Sequence, residues 1–78
     1  MYRFLIVIEK INKNYSAYSP DLPGCVATGE TLEKVEKNMY EAMEMHIQGL
    51  IEDHLAVPKS RASAEYVVIK QENIASNP

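Results

Sequence analysis

Reactive chemistry in this sequence rests on a few side chains: Cys25, His46, His54 and the acid Asp21. A cysteine nucleophile needs a base beside it, and no histidine stands near Cys25 in sequence, so one thiol defines no catalytic dyad. Cys25 is the only cysteine, which excludes an internal disulfide and suits a reducing compartment. It reads as a small buried strand residue. His46 and His54 are eight positions apart with no third ligand at metal spacing, so they do not make a zinc site. His46 falls on the apolar face of a helix and is expected to pack against the core. His54 lies near the helix end, where it can face the negative pole of the dipole. A metal-dependent nuclease needs several carboxylates converging on two metals. Asp21 has no such company in the pattern, because the other acids fall on a helix exterior or at strand ends. Its side chain reads instead as a turn acceptor for backbone amides ahead of it. No catalytic, cofactor or metal residue is assigned.

The elements that must position these groups are compressed into Tyr15–Val35. Pro20 and Pro23 fix φ and remove two donors, and Gly24 can take φ > 0. Ser19–Gly24 is therefore a rigid turn between a strand at Tyr15–Ser19 and another at Cys25–Thr28. Before them, Tyr2–Glu9 is a strand-like run with five consecutive apolar residues, and Lys10–Asn14 is a polar turn. Gly29 allows a further bend. Thr31 is the expected N-cap of one helix reaching about Asp53. Leu32, Val35, Met39, Ala42, Met43, His46 and Leu50 share a face at helical spacing. Tyr40, Ile47 and Ile51 form a second apolar stripe with Glu44 between them. That stripe is either the flank of a broad core face or a contact surface. Leu55–Ser63 is a loop, Ala64–Lys70 the final strand, and residues 71–78 a polar, fraying tail. The fold class is α+β: a three-stranded antiparallel meander, one long helix, then a final strand (β-β-β-α-β), as a single domain over residues 1–70.

At 78 residues with a net charge of −3, the chain is one small domain of marginal core that gains by oligomerising. Its acidity opposes phosphate-backbone binding and favours a basic partner, so no direct nucleic-acid contact is expected. The N-terminal run is too short and too soon charged for a signal peptide or a membrane span, which points to the cytoplasm. Phe4, Ile6 and Ile8 alternate with Leu5 and Val7, so the first strand is apolar on both faces. One helix covers one face only. The other, with Leu5, Val7, Val67 and Ile69, is the expected interface of a dimer or tetramer.

The turn and helix start resemble the N-terminal domain of the HicB family of antitoxins. That family carries Y-x-A/V-x-x-P-D-L-P-G-C, then a G-x-T helix start with E and N-x-x-E-A in the helix. Here the matches are Tyr15, Pro20, Asp21, Leu22, Pro23, Gly24, Cys25, Gly29, Thr31, Leu32, Glu33, Asn38, Glu41 and Ala42. The resemblance spans Tyr2 to Pro58. It implies a partial RNase H-like fold. It also implies an antitoxin of a type II system that neutralises a small basic mRNA interferase, HicA, by covering its catalytic histidine and RNA-binding surface, with no bond made or broken. The residues proposed for that contact are Asp21, Tyr40, Glu41, Glu44, Ile47, Ile51 and Glu52. Three departures stand out. Lys34 replaces the capping-box Glu, and His54 follows Glu52-Asp53 where the family has Gly. The sequence also stops before any C-terminal DNA-binding module, which puts autorepression in doubt. The alternatives are an orphan oligomeric module with no toxin, and an RNase H-like nuclease, which the scarcity of convergent acids opposes.

Overall fold

A computed structural model describes residues 1–73. The element order is β1 (Val7–Ile11), β2 (Asn14–Tyr18), β3 (Val26–Gly29) and α1 (Leu32–Glu52), followed by a single 3₁₀ turn at Gln71–Asn73. The remainder of the expected tail lies outside the described residues. The three strands form one antiparallel sheet in the order β1-β2-β3. Three antiparallel strands followed by one long helix is the α+β arrangement read from the sequence.

The β1–β2 connection is tight because Ile11 pairs directly with Asn14, leaving Asn12 and Lys13 as the link. Asn12 takes φ 56°, a left-handed conformation that asparagine tolerates better than most residues. Pairing starts at Val7↔Tyr18, five residues later than the expected strand start. The reason is the turn that follows β2. Pro20 diverts the chain just past Tyr18, so Tyr2–Ile6 runs on with no ladder partner.

The Ser19–Cys25 connection is two consecutive turns. Leu22 N–H donates to Ser19 O, and Cys25 N–H donates to Leu22 O, both at 3.2 Å. Each turn has proline at its second position, and the second has Gly24 at φ 89°, the arrangement of a type II turn. The result points Leu22 inward, where it is fully buried with Ala17, Cys25, Val35 and Met39. Around this centre pack Phe4, Ile6, Ile8, Tyr15, Ala27, Met43 and Ile47. Phe4, Ile6 and Ile8 thus face the helix, and Leu5 and Val7 fall on the opposite face, half-buried.

α1 lies across β2 and β3. Thr31 caps it, its Oγ1 accepting from Lys34 N–H at 3.1 Å. Asn38 donates its side-chain amide to Thr28 O at 2.8 Å, tying helix to β3. Gly29 serves close approach rather than a bend: a Cβ there would stand 2.6 Å from Val35 N. Of the expected core stripe, Val35 and Met39 are buried, Ala42, Met43, His46 and Leu50 half-buried, and Leu32 exposed. Leu32 stands at the first position of the helix.

The helix ends on a left-handed residue, as the missing glycine suggested. His54 has φ 58°. Its N–H donates to Ile51 O at 3.1 Å, and Leu55 N–H donates to Leu50 O at 2.8 Å, the paired bonds of a Schellman cap. His54→Gly should therefore raise stability by about 0.5–1 kcal/mol, the left-handed penalty less the added unfolded-state entropy. Denaturant midpoints measure it; a clear loss would mean that the imidazole makes a contact worth more than the strain.

The segment expected as the final strand behaves differently. Ala64–Lys70 belongs to no ladder of the sheet, and each of its residues is exposed.

Candidate functional site: an acid-rimmed apolar groove

Two extended features of the chain build one concavity. The unpaired run Met1–Ile6 forms one wall and α1 the other. Between them lies a groove of ≈ 960 Å³, lined by Met1, Tyr2, Arg3, Phe4 and Ile6 on one side and by Glu36, Tyr40, Met43, Glu44, Ile47, Gln48, Ile51 and Glu52 on the other. Helical spacing explains the second wall. Tyr40, Met43, Ile47 and Ile51 recur every three or four residues and lie along one line of α1. Tyr2 and Phe4 stack across the other wall, ring centroids 6.5 Å apart.

Of the residues proposed for partner contact, Tyr40, Glu44, Ile47, Ile51 and Glu52 converge here. Tyr40 and Ile51 are 66% and 52% exposed, so the second stripe is in large part open surface. Ile47 also packs against the core, so the two readings of that stripe meet in one residue. Along the rim, Tyr40 Oη lies 3.5 Å from Glu44 Oε2, and Gln48 donates to Glu52 Oε1 at 3.3 Å. Glu41 lies outside the groove lining. Sequence reasoning missed the N-terminal wall, because nothing in Met1–Ile6 shows that β2 stops short of pairing with it.

Asp21 is elsewhere, with a different task. Its Oδ2 accepts N–H bonds from Arg61 and Ala62, each at 2.8 Å. The backbone-amide reading was right in kind, but the amides come from a distant segment rather than the turn itself. These two bonds, Ala62 first, and the nearby Arg61 charge hold the carboxyl below the ordinary carboxylate range. A depressed value means that the clamp is complete above the unfolded pKa of about 3.9 and is lost as pH falls through the lower folded value. The amide proton shifts of Arg61 and Ala62 should titrate together, with a midpoint below about 3.9. A midpoint at or above that figure would show that the two bonds do not favour the ionised form.

Cys25 is buried, its Sγ 3.9 Å from Ala42 O. Burial pushes its thiol up, away from the thiolate that nucleophilic chemistry requires. Cys25 precedes β3 rather than opening it. His46 is half-buried on α1 and His54 is fixed by the helix cap. Among the described residues, no three of His, Cys, Asp and Glu come together to hold a metal ion. No helix of the described residues is long and apolar enough to cross a membrane. What the geometry offers is area and charge: an apolar floor and an acidic edge suit binding.

A three-stranded meander backed by a single helix is the fold of HicB N-terminal domains. The chain matches the N-terminal domain of the Burkholderia pseudomallei antitoxin HicB with a TM-score of 0.60 and 29% identity, over 87% of this chain and 73% of that one. A HicA3 and HicB3 toxin–antitoxin complex matches with a TM-score of 0.61 and 29% identity, over 76% of this chain and 72% of that one. Among sequences, an uncharacterized 14.9 kDa protein of Haemophilus phage HP1 is 42% identical over 80% of this chain, which spans only 47% of the phage protein. A UPF0150 protein of Synechocystis is 38% identical over 76% of each. The family model for the HicB-like antitoxin of bacterial toxin–antitoxin systems matches residues 4–75. The chain belongs to the HicB-like antitoxin family.

Proposed function

We propose that the chain is an antitoxin that binds and neutralises a small basic HicA-like mRNA interferase in the cytoplasm, without chemistry of its own. The observation that carries this reading is the groove. Apolar side chains on its floor supply area to bury, and Glu36, Glu44 and Glu52 on its helical wall complement a basic RNA-binding surface. The net charge of −3 steers the same encounter. The solved relative in complex with a toxin supports the partner class.

Co-expression with a basic HicA-like nuclease, taken from the neighbouring reading frame if one is encoded there, is the direct test. Relief of growth arrest, with one complex on gel filtration, is the expected result. Unrelieved toxicity with no complex would reject the reading. The same purified protein, given RNA and magnesium, should leave it intact. Cleavage that vanishes in Asp21→Asn would favour the nuclease alternative. An oligomeric module with no toxin is the second reading, and the exposed apolar run Tyr66–Ile69 is the surface that it would use for self-contact.

A further inference from the structure

The double-proline turn does more than carry Leu22 inward. Among the described residues, each side-chain hydrogen bond that joins positions more than ten apart has one end in Ser19–Cys25. Ser19 Oγ donates to Leu5 O at 2.8 Å, and Ser19 is the one buried polar residue among those described. Cys25 Sγ approaches Ala42 O on α1. Asp21 Oδ2 accepts from Arg61 and Ala62. Three segments outside the sheet are thus tied to one turn: the N-terminal run, the helix and the chain beyond the helix cap. Two prolines and two backbone bonds stiffen that turn, so it can act as a fixed frame. The third tie bears on the groove. Among the described residues, no other side-chain hydrogen bond reaches the chain beyond His54. There Ser60, Ala62, Ser63 and Ala64 face Arg3–Ile6 across a cleft of ≈ 440 Å³. On its other side the same run walls the apolar groove against α1, and no ladder fixes it in place.

We propose that Asp21 is a positioning residue for the groove: by clamping Arg61 and Ala62 it seats residues 60–64 as a strap along the outer side of Arg3–Ile6, and the strap holds that run toward α1. Ser19 acts on the run directly and Asp21 acts through the strap, both from the same frame. The strap is then a latch. Clamped, it keeps the N-terminal wall of the groove in place. Released, it leaves that wall to the Ser19 bond and to the packing of Phe4 and Ile6 on the core. A partner that enters the latched groove meets a wall already ordered, so less conformational entropy is lost on binding. The latch concerns the groove's own geometry and does not depend on which partner occupies it.

Backbone order parameters of the full chain, from nitrogen relaxation, test it. In the unaltered chain Arg3–Ile6 and Arg61–Ala62 should both lie near about 0.85, the rigid range. Asp21→Ala should lower both segments below about 0.6, while β2 and α1 keep their wild-type values. Asp21→Asn keeps a carbonyl acceptor and should restore both. Ala62→Pro removes one donor from the other end of the clamp and leaves the turn untouched, yet it should loosen Arg3–Ile6 as well. Arg61–Ala62 loosened with Arg3–Ile6 unchanged would overturn the proposal, because the strap would then not hold the wall. Order unchanged in both segments of Asp21→Ala would overturn it too, as would an Asp21→Asn chain as loose as the Asp21→Ala one. Should Asp21→Ala fail to fold, Ala62→Pro decides by the order of Arg3–Ile6.

Discussion

Leu22→Ala is expected to destabilise the domain by about 3–4 kcal/mol, measured by urea denaturation. Leu22 has no exposed surface, and Leu→Ala at such sites costs about 2–5 kcal/mol through lost transfer energy and the cavity left behind. The upper part of that range applies because the site cannot collapse easily. Two hydrogen-bonded turns, each braced by a proline, hold Leu22 from both sides, so the backbone cannot follow a smaller side chain inward. A domain of this size has only about 4–12 kcal/mol in total. The substitution should therefore remove a large fraction of its stability, with little change in the helix itself. A loss under about 1 kcal/mol would mean that the turn relaxes into the void.

The double substitution Tyr40→Ala/Ile51→Ala should weaken toxin binding at least about a hundredfold, on the proposal that the groove is the docking surface. Both side chains are more than half exposed, so the fold should survive. Both line the groove floor, where truncating buried aromatic and aliphatic anchors costs most. The loss should fall mainly on the dissociation rate, whereas Glu44→Lys/Glu52→Lys should act mainly on association, because rim charges steer encounter. Surface plasmon resonance at two ionic strengths separates these effects. Wild-type dissociation from the double variant, with fast dissociation from variants of the Pro20–Cys25 turn instead, would move the docking surface to that turn.

The parts legible in the sequence were those fixed by local stereochemistry. Pro20, Pro23 and Gly24 can satisfy their backbone constraints in few ways, and they form the rigid turn expected of them. Thr31 and His54 mark the ends of α1 because helix termini have local solutions that single residues reveal. The alternation of Phe4, Ile6 and Ile8 against Leu5 and Val7 told which face meets the helix. The misses all concern distance. Leu22 was read as part of a turn and missed as the centre of the core, since burial depends on where the turn is carried. Asp21 meets amides 40 and 41 residues away, which no local pattern encodes. Gly29 was read as a bend, and its real constraint is the backbone of Val35. Ala64–Lys70 has the composition of a strand without a strand to pair with in its own sheet. Of the groove, the helical wall followed from periodicity, while the opposite wall depends on where β2 ends.

The run from Tyr2 to Ile6 has two sides in use. One side walls the groove, and its outer edge has no ladder partner and is open to a further strand. Its hold on the rest of the molecule includes the bond from Ser19 Oγ to Leu5 O, 2.8 Å long. Whatever orders this run from one side lowers the entropic cost of ordering it from the other. Were a second chain to pair along that edge, its binding and the proposed toxin capture would be thermodynamically linked through a shared strand, each raising the equilibrium constant of the other by the same factor. Toxin affinity would rise with the concentration of the chain, and an affinity indifferent to that concentration would show the two events to be independent. Where the linkage holds, the protein reads its own abundance: scarce copies hold a toxin with the affinity of the single chain alone, and abundant copies retain it more tightly.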